Sequence, residues 1–145
     1  MVFAPSSLIL TNNYLPLSEA LYALKGLCMN QNLYFKTDKF DSSKTLAEYV
    51  YSELKKLSFN PQEPIDSDYM YSIEINVEGD FVDIFMGKND EETVVPLWQT
   101  WPEQRVPFLK KIFGKADRSA EFKVKEQLET IIKNIDGVSA VEWGI

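Results

Sequence analysis

Three carboxylates, Glu74, Glu78 and Asp83, lie in the stretch YSIEINVEGDFVDIFMG, residues 71–87, interleaved with Phe81 and Phe85. Paired carboxylates serve as general acid and base or as nucleophile, provided their separation suits the reaction. Glu74 and Glu78, four residues apart on a strand, share a face at roughly 13 Å, beyond the spacing of either glycosidase class. Asp83 makes an acid and base pair with them only under a covering pocket. The plainer reading is a solvated or partner-facing sheet surface.

Other chemistry is more sharply bounded. The chain has no histidine, which removes every Ser-His and Cys-His nucleophile arrangement, every histidine metal ligand and the usual base near neutral pH. Its one cysteine, Cys28, has no internal disulfide partner, and in LYALKGLCM its apolar neighbours suit a buried, inert thiol. IDSDY (65–69) and KNDEE (88–92) attract hard cations in principle, but neither has the ligand spacing and glycine of an EF-hand loop. Both read as solvated acidic turns. Six glycines form no GxGxxG or GxxxxGK[ST] cradle, so no cofactor is expected.

Charge is distributed unevenly. The net charge is −7, yet residues 60–104 hold eleven Asp and Glu against Lys88 alone, and residues 105–134 hold eight Lys and Arg against four acids. Acidity of this kind repels a phosphate backbone and steers toward a basic protein partner. RVPFLKKIFGKADR (105–118) is the one basic segment with interleaved aromatics. Phe108 and Phe113 fit a core-facing stripe there, so nucleic acid is not the expected partner. Its pairing with the acidic block, within the fold or in a homodimer, is equally natural.

A chain of 145 residues, 45% hydrophobic, can bury one core, and we read residues 1–145 as a single α+β domain. No stretch reaches the length of a membrane span, and LIL (8–10) is too short for a signal sequence, so a cytoplasmic location is expected. SLIL is read as a short edge strand and Asn12-Asn13 as a turn, and Ser18 caps a helix bearing Leu17, Ala20, Leu21, Leu24, Leu27 and Cys28. QNLYFKTDKF (31–40) is a short strand or an ordered loop. Thr45 and Glu48 have capping-box spacing, with Asp41, Ser42 and Ser43 as competing caps, for a helix to about residue 57. Its stripe is Leu46, Tyr49, Val50, Leu54 and Leu57. PQEPIDSD (61–68) reads as a polar connector.

The hairpin register follows from a two-residue Gly79-Asp80 turn. It pairs Val77 with Val82, Ile75 with Ile84 and Ile73 with Met86 on one face, and Glu78 with Phe81, Asn76 with Asp83 and Glu74 with Phe85 on the other. NDEE turns the chain into TVVPLWQTW, a third strand that Pro96 assigns to an edge or a bulge. Pro102 and Pro107 permit helix starts. A short helix then carries Phe108, Leu109, Ile112 and Phe113, followed by a long one capped by Asp117 or Ser119, with Phe122, Val124, Leu128, Ile131, Ile132 and Ile135 inward. VSAVEW (138–143) closes the order as a strand. The expected architecture is a small antiparallel sheet of three to five strands with a central hairpin (71–87), packed against N-terminal and C-terminal helices mainly on one face.

Trp98 and Trp101, set between Pro96 and Pro102, read as core anchors joining the edge strand to the next helix; the alternative is that one indole is exposed as a contact residue. The acidic hairpin, the WQTWP edge and LETIIKNIDGVSAVEW together resemble a small bacterial immunity protein of the polymorphic-toxin or contact-dependent-inhibition type. That resemblance implies a non-enzymatic inhibitor that occludes a basic cognate toxin, and it carries over no individual residue. The candidate partner-binding residues are Glu74, Glu78, Phe81, Asp83, Phe85, Trp98 and Trp101, in a monomer or homodimer. The competing expectation is a small-ligand binder or carboxylate-dependent enzyme, with a cleft between sheet and helices lined by Tyr69, Tyr71, Glu74 and Asp83. A third is that the two phenylalanines lie covered within the chain.

Overall fold

The computed structural model describes residues 31–106 and 117–144, all within one compact unit, Gln31–Ile145. The expected SLIL strand, the Ser18-capped helix with Cys28 and the short helix after Pro107 lie outside the described residues. In chain order the elements are β1 (Asn32–Lys36), α1 (Ser43–Lys56), β2 (Ile65–Ser67), β3 (Met70–Val77), β4 (Asp80–Lys88), β5 (Leu97–Gln104), α2 (Ser119–Lys133) and β6 (Ser139–Gly144). The six strands form one sheet in the order β2-β3-β4-β5-β1-β6, and every neighbouring pair is antiparallel. The α+β class holds, with six strands among the described residues in place of three to five. Among the described residues no helix is long and apolar enough to cross a membrane.

Strand alternation divides the sheet into two faces. Leu33 and Phe35, Ile73, Ile75 and Val77, Val82, Ile84 and Met86, and Trp98 and Thr100 are buried on one of them. Against these pack α1, over β3 and β4, and α2, over β4 and β5. In α1 the buried set is Leu46, Ala47, Val50 and Leu54, while Tyr49 packs its ring beside Phe40. Leu57, expected in the stripe, is the C-cap and is exposed, because the helical repeat ends one residue earlier. The N-cap is Ser42, one of the competing caps, and not Thr45. Ser42 Oγ accepts from the Thr45 amide, and Thr45 Oγ1 accepts from the Ser42 amide, closing a box with Thr45 in place of Glu48 at its far end. In α2 the buried residues are Ala120, Val124, Lys125, Leu128, Ile131 and Ile132, and Ile135 follows just beyond. Phe122 is only half-buried.

The hairpin turn is Glu78-Gly79, one residue earlier than expected. Both residues have positive φ, 52° and 93°, as a type I′ loop requires, and Asn76 Oδ1 accepts from the Gly79 amide at 2.8 Å. Observed pairs are Val77 with Asp80, Ile75 with Val82, Ile73 with Ile84 and Tyr71 with Met86. A turn moved by one residue changes each partner by two, so every side chain keeps its face although its cross-strand neighbour changes. On the opposite face Asn76 therefore meets Phe81, Glu74 meets Asp83 and Ser72 meets Phe85.

The third hairpin strand differs more. Pro96 lies before β5, and β5 is interior to the sheet, flanked by β4 and β1, instead of forming an edge. Pro102 starts no helix; it sits inside β5 opposite Ile84. The Arg105 amide donates to Phe81 O at 2.9 Å, so by alternation the proline nitrogen points away from β4, toward the β1 side. Pairing with β1 runs only from Leu33↔Thr100 to Lys36↔Leu97, and Pro102 lies past it. Beyond that point the start of α2 takes over the strand's free edge. The Gln104 amide donates to Glu121, its side-chain nitrogen donates to Asp117 O, and its side-chain oxygen accepts from the Glu121 amide. The polar connector holds one further surprise: Ile65–Ser67 pairs with Met70–Ser72 as a short outer strand. At the other edge the expected closing strand forms as β6, and it pairs with β1.

Candidate functional site

The sheet face opposite α1 and α2 collects most of the expected site. Register sets Glu74, Asp83 and Glu103 side by side across β3, β4 and β5, and Phe85 and Trp101 side by side in the neighbouring row. Directly opposed side chains on antiparallel strands stand about 5 Å apart at Cβ, close enough for charges to couple. Three carboxylates in a row would repel one another, and Arg105 answers that. Its Nε and Nη2 donate to both oxygens of Asp83, and Nη2 also donates to Glu74 Oε1, all at 2.8 Å. The guanidinium lies 5.6 Å from the centre of the Phe81 ring. Hydrogen bonds donated to Asp83 and then Glu74 hold the Arg105 pKa well above its ordinary value, so it is a permanent cation.

Glu78 stands apart in the hairpin turn, where Lys123 of α2 donates to its Oε2 at 2.9 Å. That hydrogen bond lowers the Glu78 carboxyl below its usual range. The three carboxylates named from sequence are therefore all paired within the chain: one residue of the basic segment, Arg105, serves two of them, and Lys123 serves the third.

The aromatic residues separate by face. Phe81 is 41% exposed beside Arg105, and Phe85 stacks on Trp101 with ring centres 5.6 Å apart at 26°. Trp101 Nε1 donates to Glu103 Oε2 at 2.9 Å, which fixes the indole over its neighbour. Trp98 belongs to the other face. It is fully buried, meets Phe40 edge-on at 6.0 Å, and donates Nε1 to Thr37 O at 2.9 Å. One tryptophan of WQTWP is thus a core anchor, and the other is half-buried on the acidic face.

The residues proposed for a cleft do not converge. Tyr71 pairs with Met86 on the helix-covered side, Tyr69 is 92% exposed, and Glu74 and Asp83 lie on the opposite face under Arg105. A polar surface recess of about 490 Å³ lies at the β4–β5 connection, lined by Lys88, Asn89, Asp90, Glu91, Glu92, Thr93 and Pro96. Among the described residues no three acidic, cysteine or histidine side chains converge as metal ligands there or elsewhere.

Sequence reasoning passed over Glu103 and Arg105. Their signal was alternation: from Trp101, steps of two along β5 reach Glu103 and Arg105 on one face. Reading Pro102 as a helix start cut the strand before either residue. Comparison of the chain with protein-family models, curated proteins and solved structures gives no match in any of the three.

Proposed function

We propose that this protein is a non-enzymatic binding protein that recognises a basic protein partner through the acidic, aromatic face of its sheet. The reading extends to an immunity protein, acting in the cytoplasm, that neutralises a basic cognate toxin by occluding its active site. The observation that carries it is the Phe85–Trp101 stack beside the Glu74–Asp83–Glu103 row, on the face that α1 and α2 leave uncovered. Six strands at about 4.8 Å spacing and mean length near 20 Å give a face of roughly 600 Å², comparable with one side of a standard protein interface. Aromatic side chains on such a face supply desolvated contact energy, while its net acidity steers a cationic partner and Glu103, which no described cation engages, is left to contact it. Trp98 takes no part in this surface, and Glu78 contributes at its rim.

The test is protection. The product of the gene beside its own is expressed with and without the chain, and growth is compared with that of a strain carrying Phe85→Ala and Trp101→Ala together; a neighbour that is not toxic overturns the immunity reading. Growth restored by the native chain and lost with the folded variant supports the reading. A toxin that is basic and bound, yet bound with the same affinity by the variant and at high salt, assigns the interface elsewhere.

A further inference from the structure

We infer that the element formed by Trp101, Phe85 and Glu103 recognises an arginine side chain of the partner. This rests on the reading of the face as a partner surface and adds the chemistry of the group it takes.

The face already holds one guanidinium in this manner. Arg105 is gripped by a carboxylate pair, its planar fork matched to Asp83, with the Phe81 ring alongside at 5.6 Å. Beside it the strand register repeats the same ingredients. Glu103 is the next carboxylate in the row after Asp83, and the Phe85–Trp101 stack supplies the aromatic surface. Glu103 is exposed, and among the described residues it pairs with no cation: its one bond is the indole N–H on Oε2. That bond orients both groups together, so carboxylate and ring are positioned before a ligand arrives. An arginine suits the pair better than a lysine. Its delocalised plane stacks on an indole while its fork meets a carboxylate, whereas an ammonium is a compact, strongly hydrated point charge. The surrounding charge has the required sign, since residues 60–104 carry eleven acids against one lysine.

The experiment titrates the full-length, nitrogen-15-labelled protein with two capped probes of equal charge, tetra-arginine and tetra-lysine. The Trp101 indole resonance is assigned with Trp101→Phe. Expected is a saturable shift of that resonance, with tetra-arginine bound about three- to fivefold more tightly than tetra-lysine. In Glu103→Gln the amide oxygen still accepts the indole N–H, so the stack is kept while the charge is removed. The arginine preference then disappears, and the buried Trp98 indole resonance stays in place as the check on the fold. Equal affinity for the two probes, or a preference that survives Glu103→Gln, overturns the inference. If both probes shift resonances of this face equally, the partner surface stands and arginine selectivity falls. If neither probe shifts the face, the inference and the surface assignment fall together.

Discussion

Removing the Arg105 guanidinium while keeping its stem, as in Arg105→Met, isolates the charge that holds the acidic face together. The native side chain makes three 2.8 Å bonds to Asp83 and Glu74, but it is 52% exposed, so solvent screening sets the scale. Exposed ion pairs contribute about 0.2–1 kcal/mol each. The variant also leaves Glu74 opposite Asp83 with nothing between them. At about 5 Å in a water-like dielectric that repulsion is about 0.8 kcal/mol. Together the loss is about 1–3 kcal/mol, a fall of roughly 3–9 °C in Tm for a domain of this size. Urea denaturation of the native protein, Arg105→Met, Glu74→Gln and the double variant measures each step. In the native background Glu74→Gln removes a bond to Arg105 and destabilises; in the Arg105→Met background it removes a like charge and stabilises. High salt shrinks the second effect, because the screening length falls to about 3 Å at 1 M. An effect of Glu74→Gln with the same sign in both backgrounds refutes the clamp.

Three further outcomes test the fold around the face. Gly79→Ala, at φ 93°, forces a side chain into left-handed backbone and destabilises by about 1 kcal/mol, whereas Glu78→Asn suits the type I′ turn and raises Tm, both read by thermal unfolding. Trp98→Phe leaves the Thr37 carbonyl without its indole donor and costs about 1–3 kcal/mol, while Trp98→Ala adds a cavity and brings the loss to about 3–5 kcal/mol, read by urea denaturation. Burial pushes the Glu129 carboxyl up, but hydrogen bonds from Lys133 and Trp143 outweigh it and hold the pKa below the usual range. The stability this gives is fully present above the ordinary carboxylate pKa and is lost as pH falls through the lowered folded value. Glu129→Gln therefore flattens the acid limb of Tm against pH, and an unchanged limb refutes that assignment.

Most of the core was legible because burial writes itself into alternation. Ile73, Ile75 and Val77 against Val82, Ile84 and Met86 identify the covered face even though the expected turn was one residue late. Cross-strand identity was not legible to the same degree. Two-residue turns at 78–79 and at 79–80 leave the same residues facing the core, and the hydrophobic pattern does not choose between them. The choice falls to local groups: Asn76 Oδ1 reaches the Gly79 amide, and Glu78 and Gly79 accept positive φ. The short β2 escaped notice for a related reason. All three of its residues are exposed, so no burial pattern marks it.

The site depended on the part of the chain that pattern reads least well. Proline is a poor strand residue in general, but its cost depends on which side of the strand lacks the hydrogen bond. At Pro102 that side lies past the end of β1 pairing, so β5 continues for two more residues and delivers Glu103, then Arg105 just beyond. That continuation changes the electrostatic argument for the whole face. With the strand ended at Trp101, Glu74 and Asp83 have no assigned cation, and a basic partner and the chain's own basic segment are equally natural counterparts. With the strand continued, Asp83 has both oxygens engaged, Glu74 shares the same cation and Glu78 has Lys123. A partner gains little from carboxylates already satisfied at 2.8 or 2.9 Å, since it must first replace an intramolecular bond of equal kind. Affinity at this face then rests on the groups left in between: the Phe85–Trp101 stack, and Glu103 at its edge. Substituting the paired acids shifts stability first and binding second, whereas substituting Glu103 shifts binding with stability nearly unchanged.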